Sequence, residues 1–197
     1  MSVNIPDLPD NVEVSELDGV TTVAIEGNSK KLEVEASGEV EINATGTVTK
    51  LSVTTEEGED LDLTLDATKP ASEGASLKTS EPGLFKKATI TGGNKGDSVK
   101  FTGKTTVQRS RLDMGEGADT VVFSAKTGFV GKTTVDLGPA GGKADKVVFK
   151  GDNTPEGGKV KITNFDSEDK LLVDGVVYKA EDLEDMKIDG IKIDFAD

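Results

Sequence analysis

The groups that could do chemistry in this chain are almost all carboxylates. Its 197 residues include 37 Asp and Glu but neither His nor Cys. Catalysis by Cys or His, disulfides and the usual zinc sites are therefore excluded. A carboxylate pair could cleave a glycosidic bond, but sugar sites usually also need aromatic platforms, and the chain has one Tyr and no Trp. We therefore expect no enzyme, with a polysaccharide-active β-helix enzyme as the weakest alternative.

The elements that position these carboxylates repeat along the chain. Residues 112–123 join a turn with Gly115 and Gly117 to Asp119 and a short apolar strand. The form Asp-x-Φ-x-Φ, in which Φ is apolar, starts at Asp97, Asp119, Asp145 and Asp169. Strand-like pieces precede the copies at 88–90, 104–107, 132–135 and 159–162. A unit of about two strands and two turns cannot bury its apolar face alone, whereas stacked units can.

This periodicity predicts an all-β fold, a β-solenoid or β-helix-like stack of short strands. Phe101, Phe123 and Phe149 fall at the inward positions of the repeat. We expect an extended N-terminal arm at 1–11, an N-terminal β region at 12–68, a loop or linker at 69–85, the repeat solenoid at 86–178 and a C-terminal cap at 179–197. Whether 12–68 is a separate domain stays open. Asp-Gly pairs at 18–19, 174–175 and 189–190 predict hairpins with two-residue turns, the last two at the C-terminal end of the stack.

One stretch resembles a known family. Residues 114–122, Met-Gly-Glu-Gly-Ala-Asp-Thr-Val-Val, resemble the calcium-binding nonapeptide Gly-Gly-x-Gly-x-Asp-x-Φ-x of the repeats-in-toxin (RTX) family, with Met in place of the first Gly. The resemblance is degenerate and covers roughly residues 88–178. It implies Ca²⁺ as a cofactor, held by the Asp119 carboxylate and the Gly115 and Gly117 backbone, with Asp97 and Asp145 as further ligands.

A second interpretation of the same residues stays open. A calcium ladder needs another nonapeptide nine residues on, and residues 123–131 contain no Asp. In the second interpretation the Asp and Gly residues only make the turns, and no cofactor is bound.

The charge distribution restricts the partners. The net charge is −14, and the first 70 residues hold 4 Lys against 16 Asp and Glu. Such acidity argues against nucleic acid. The acidic ends and the more basic middle suit docking to a protein surface or to a neighbouring copy. No apolar stretch approaches membrane-spanning length, and residues 1–6 lack the features of a signal peptide.

From these features we expect a structural protein that decorates or cements a surface. The first hypothesis is a viral (phage) capsid decoration protein on the virion surface, bound to a major capsid protein through an arm that becomes ordered only on that partner. The alternative is an RTX-type calcium-binding protein of a cell-surface layer or an adhesin. It would be exported without a signal peptide, through a signal in the C-terminal tail. Either version could form a homo-oligomer.

Overall fold

The computed structural model describes residues 2–6, 9–27, 29–44, 47–48, 51–54, 61–66, 84–91, 96–102, 106–139, 143–151, 155 and 157–196. This part contains nineteen strands and one helical turn, α1 (Ala180–Leu183). The predicted all-β class is confirmed. Along these residues, no helix has both the length and the apolar character needed to cross a membrane.

The strands form three sets of hydrogen-bonded neighbours, which we call ladders. In ladder 1, successive strands between residues 20 and 173 pair in parallel. At each end of this series, one further strand pairs antiparallel with its neighbour as a hairpin. Its strands are β2 (Val12–Leu17), β3 (Val20–Ile25), the second half of β4 (Leu32–Ala44), β7 (Leu61–Asp66), β10 (Ser98–Thr102), β13 (Thr120–Phe123), β15 (Lys146–Phe149), β17 (Lys170–Val173) and β18 (Val176–Tyr178).

Ladder 2 begins with β1 (Ser2–Asn4), antiparallel to the first half of β4. It continues in parallel through β6 (Leu51–Thr54), β9 (Thr89–Thr91), β12 (Arg111–Asp113), the second part of β14 (Gly128–Asp136), β16 (Gly158–Phe165) and β19 (Ile191–Phe195). Ladder 3 contains β5 (Thr47–Val48), β8 (Leu84–Lys86), β11 (Thr106–Gln108) and the first part of β14. The long strands β4 and β14 each take part in two ladders.

The register of ladder 1 confirms the alignment on the acidic residues. Val99 pairs with Val121, Val121 with Val147, and Val147 with Leu171. One of the predicted preceding pieces, 104–107, lies in a different ladder from the other three. Val107 pairs with Phe85 and Phe129 in ladder 3, while Leu112 lies between Ile90 and Val135 in ladder 2. The repeat that ends at β13 therefore has three strands among the described residues, β11, β12 and β13, and not two. The alternating pattern of 104–107 does not indicate which ladder this piece joins.

The inward side chains form one continuous core. The Phe101 and Phe123 rings stack 5.1 Å apart, and the Phe123 and Phe149 rings stack at 5.0 Å, a favoured arrangement for aromatic pairs. These three phenylalanines are fully buried, as their inward phase predicts. The core runs from Val12 to Leu183. It therefore joins the region before the predicted linker to the region after it, as does the pairing of β7 with β10. Most of that linker lies outside the described residues.

The ends of the ladders show how the predicted turns and arm are used. Asp18 and Gly19 have φ of 51° and 84°, and they connect β2 to β3 as the predicted hairpin. The Asp174–Gly175 turn likewise connects β17 to β18. At the third Asp-Gly pair only one antiparallel bridge forms, between Ile188 and Ile191. The strand that follows, β19, pairs in parallel with β16 instead of completing a hairpin. Residues 2–4 of the predicted arm form a strand of ladder 2 within the chain itself.

Candidate functional site

Four aspartates lie one above another where the chain enters ladder 1. Each immediately precedes the first residue of its strand, and parallel in-register pairing stacks these strands. All four side chains are buried, and Asp119 is only 1% exposed. We call Asp97, Asp119, Asp145 and Asp169 the aspartate column.

The carboxylates of Asp119, Asp145 and Asp169 each accept a hydrogen bond from the amide of the aspartate one repeat before. The amide of Asp97 donates to Asp119 Oδ1 at 2.7 Å, and the amide of Asp119 donates to Asp145 Oδ1 at 2.7 Å. The amide of Asp145 donates to Asp169 Oδ1 at 2.8 Å. The side chains thus provide acceptors for buried amides at the start of each strand, and an unpaired buried amide would be costly.

The last carboxylate of the column also closes a local turn. Asp169 Oδ2 accepts the amide of Asp166 at 2.8 Å, three residues earlier. The Asp166 side chain in turn accepts the amide of Glu168 at 2.8 Å. Both oxygens of Asp169 therefore have backbone partners.

Only one of the two carboxylate oxygens of Asp119 has a hydrogen-bond partner among the described residues. Its Oδ2 is buried and has no hydrogen-bond partner in the described part of the chain. Burial raises the pKa of Asp119 to about 7; the amide of Asp97 opposes this rise, and the charges of Asp97 and Asp169 add to it. An unpaired buried oxygen is expensive when it carries charge.

The neighbouring carboxyls are shifted in the same direction. Burial raises the pKa of Asp145 to about 7; the amide of Asp119 opposes the rise, and the charges of Asp119, Asp169 and Asp166 add to it. Burial also raises the pKa of Asp169, although the two amides that bond to it act against the shift. In Asp119, Asp145 and Asp169 the charged form is therefore disfavoured.

The two glycines named with Asp119 shape the preceding turn. Gly115 and Gly117 have φ of 82° and 142°, which glycine adopts without the cost of a Cβ. The Gly115 carbonyl oxygen faces Gly138, where an added Cβ would lie 1.7 Å from it. Met114, at the position of the first Gly in the nonapeptide, is fully buried in the core. This departure from the motif places an inward-facing apolar residue at the turn.

The described residues show no group of acidic side chains arranged around a common point for a calcium ion. Calcium takes six to eight oxygen ligands, yet no group of three or more acidic side chains in the described ranges is placed to hold a metal. The Oδ1 of Asp119 already accepts an amide, and the Gly115 carbonyl is directed at Gly138. Calcium binding by Asp119, Gly115, Gly117, Asp97 and Asp145 therefore stays an untested prediction.

Sequence reasoning found the members of the column but not their chemistry. Three of the four aspartates were candidates, and Asp169 was recognised only as a copy of the repeat. The signal that could have included it was its position, since it too opens an Asp-x-Φ-x-Φ strand. The amide bonds between repeats could not be read from spacing, because they depend on the rotamer of each side chain.

The outer surface offers grooves and charged rows. A groove of about 680 Å³ is lined by Gly131, Gly157, Gly158 and Gly190, with Lys132, Lys159, Pro155 and Asp189. Among its described lining residues, Asp189 is the only acidic one. On the outer face of ladder 2, Arg111 pairs with Asp113 at 3.2 Å and with Asp136 at 3.0 Å.

Both ends of ladder 1 expose apolar side chains. Leu17, on β2 at the N-terminal end, is 74% exposed, and Val14 on the same strand is also exposed. At the opposite end, Val176 and Val177 on β18 are about half exposed. Unpaired edge strands with apolar residues are typical sites of contact with another chain.

No family model, curated protein or solved structure matches this chain.

Proposed function

We propose that the three ladders are the sides of a β-solenoid and that the chain is a non-enzymatic structural protein that decorates or cements a surface. A viral (phage) capsid is the first candidate surface. The observation that carries this proposal is the stacking of buried residues from repeat to repeat. The phenylalanine stack and the aspartate column run through successive repeats of the same ladder.

The internal order of the protein supports a scaffold role. Successive repeats contact each other through parallel pairing in ladders 1 and 2, and the repeats from β5 to β14 also pair in ladder 3. Repeat proteins of this kind add stability with each stacked neighbour and present long regular faces. A protein built in this way is suited to keep two contact surfaces at a fixed distance from each other.

The exposed N-terminal end supplies the contact surface. Beyond Val12, every residue of β2 is exposed, and β2 is fully paired with β3 on one side. No strand in the described part of the chain pairs with its other edge, and Val14 and Leu17 are exposed to a partner protein. Since Ser2–Asn4 already pair with β4, attachment through the start of the chain does not require these residues to become ordered on the partner.

The test is to locate the protein and then to disrupt this end. Antibodies against the chain are applied to purified virus particles, to the cell envelope and to the culture medium of the source. The proposal expects the chain on the particles and expects detachment when Leu17 is changed to Asp. Recovery of the chain only from the envelope or the medium would overturn the capsid proposal.

A secreted, RTX-type surface protein is the second candidate. The positive φ values of Gly115 and Gly117 before a buried Asp119 favour it, since they match the turn that the resemblance implies. A truncation of residues 180–197 is a weak test of export, because Phe195 packs against Phe165 with ring centroids 6.3 Å apart. Transfer of residues 180–197 to a folded carrier protein is sharper, and the candidate fails if the carrier stays inside the cell.

A further inference from the structure

The outer faces of ladders 1 and 2 differ in how their charged side chains are arranged. On ladder 2, acidic and basic side chains lie next to each other. Arg111 pairs with Asp113 at 3.2 Å and with Asp136 at 3.0 Å. Further along the same ladder, Lys192 pairs with Asp194 at 2.9 Å. The charges of these residues are therefore balanced within the chain.

On ladder 1, acidic and basic residues are instead separated along the ladder. One row of residues that are paired in register runs in the order Glu39, Asp62, Ser98, Thr120, Lys146 and Lys170. We call it the ladder 1 row. Glu39, Lys146 and Lys170 are exposed, so the row belongs to the outer face. Its acidic residues are at the N-terminal end and its lysines at the C-terminal end.

The exposed charges of this row are not paired within the described part of the chain. The side chains of Glu39, Lys146 and Lys170 form no ion pair there. Four strand steps separate β4 from β15, which places Glu39 and Lys146 about 19 Å apart at the usual strand spacing. The two residues are therefore too far apart to pair within one molecule.

The basic half of this face also has apolar side chains on its outer side. Val122, Val148 and Leu172 are successive neighbours in register, and all three are partly exposed. Their strands read Thr-Val-Val-Phe, Lys-Val-Val-Phe and Lys-Leu-Leu-Val, in which apolar residues follow one another. Parallel strands with apolar residues on both faces are typical of sheets that are covered on both faces. The pattern indicates that another surface covers this half of ladder 1.

We propose that this cover is a second copy of the chain, which packs its ladder 1 face to face against the first and in the reverse direction. The acidic half of each copy then lies over the basic half of the other. Around the two-fold axis, β4 of each copy lies opposite β15 of the other, and Glu39 meets Lys146 at two equivalent places. The inference does not depend on the proposed function, whose contact uses β2.

The distribution of charge selects the reverse direction. If two copies packed in the same direction, Lys146 would face Lys146 and Glu39 would face Glu39, and like charges across an interface repel. The reverse direction replaces both repulsions by attractions. It also places Leu172 over β3, where the partly exposed Val20 and Thr22 present methyl groups.

The size of the face gives the strength of the contact. The seven strands of ladder 1 from β3 to β17 span about 29 Å, and five residues of a strand span about 16 Å. Each copy therefore covers roughly 450 Å² of the other, an area typical of weak and reversible complexes. We expect a dimer with a micromolar dissociation constant that rises with ionic strength, because salt screens the charges.

The experiment is sedimentation equilibrium of the full chain over a wide range of protein concentration, in ~50 mM and in ~500 mM NaCl. We expect a reversible equilibrium between monomer and dimer that is weaker in the higher salt. Glu39→Lys and Lys146→Glu each bring like charges together and should weaken the dimer about tenfold. The chain with both substitutions should regain most of the wild-type affinity.

Two further samples make the test specific. A mixture of the Glu39→Lys and Lys146→Glu chains should form heterodimers, since both ion pairs of the mixed dimer then join opposite charges. Lys132→Glu is the matched control, because Lys132 is exposed but lies on β14, outside ladder 1. It makes the same change in net charge as Lys146→Glu and should leave the dimer nearly as strong as in the wild type.

Four results would overturn the inference. The first two are a wild-type chain that stays monomeric at every concentration and one that forms open-ended assemblies instead of dimers. The third is a double variant that associates no better than the single variants, since the two residues would then not face each other. The fourth is equal weakening by Lys132→Glu and Lys146→Glu, which would show that only net charge matters.

Discussion

The amide of Asp119 donates a 2.7 Å hydrogen bond to Oδ1 of Asp145, one repeat further along the chain. In the opposite direction, the amide of Lys146 donates to the carbonyl of Asp119 at 2.8 Å. Each repeat is therefore attached to the next through both a side chain and the backbone at the same residue. A shift of register by one residue would break both bonds.

This relationship predicts different effects for two substitutions at one position. Asp145→Ala leaves the buried Asp119 amide without an acceptor, and we expect a loss of about 1–3 kcal/mol in the free energy of unfolding. Asp145→Asn keeps an acceptor oxygen and should lose less. Both are measured by urea unfolding at pH 5.5, which lies below the pKa of about 7 of Asp145. Equal losses for the two variants would show that the hydrogen bond is not the source of the stability.

The phenylalanine stack predicts a large effect of one core substitution. Phe123 contacts Phe101 and Phe149 face to face and Phe129 edge to face at 5.1 Å. Phe123→Ala removes these contacts and leaves a cavity, which should cost about 3–5 kcal/mol. Phe195 is 39% exposed, so Phe195→Ala is the matched control and should cost much less. Denaturant unfolding of both variants checks the difference, and similar losses would contradict a core centred on the stack.

The register of ladder 1 could be predicted from the sequence, whereas the division of the remaining strands between ladders 2 and 3 could not. The Asp-x-Φ-x-Φ form placed Phe101, Phe123 and Phe149 in one stack because period-two alternation determines which side chains point inward. The same alternation does not indicate which ladder a strand joins. This is why 104–107 was grouped with 88–90, 132–135 and 159–162, although Val107 pairs with Phe85 and Phe129.

For the aspartate column, too, the position could be predicted from the sequence but the role could not. Its position follows from the repeat, since each member opens a strand of ladder 1. Its role depends on where each carboxylate points, and no periodicity contains that information. The resemblance to a calcium motif rests on Gly115, Gly117 and Asp119. In the fold, the Gly115 carbonyl lies against Gly138 and the Asp119 carboxylate faces an amide.

The contact between two turns predicts a steric effect at Gly138. An added Cβ would lie 1.7 Å from the Gly115 carbonyl oxygen, so Gly138→Ala requires the backbone to move. Gly175 is the matched control because it has a similar φ, 78° against 85°, with nothing within 4 Å of an added Cβ. Gly175→Ala should cost about 1–2 kcal/mol for the left-handed conformation alone. We expect Gly138→Ala to cost clearly more in urea unfolding, and equal costs would mean that the two turns can separate freely.

The exposed N-terminal end predicts a substitution that separates attachment from stability. Leu17 is 74% exposed and lies at the end of β2, beside the turn to β3. Because Leu17→Asp buries no charge, the thermal midpoint should change by no more than about 2 °C, the effect of roughly 0.5 kcal/mol in a chain of this size. Cosedimentation with particles that lack the protein should fall at least tenfold, since a charge would enter an apolar contact. Val177→Asp, at the opposite end of ladder 1, is the control for a general effect of added charge. If Val177→Asp abolishes cosedimentation and Leu17→Asp does not, the partner binds the β18 end and the assignment of the contact to β2 is wrong.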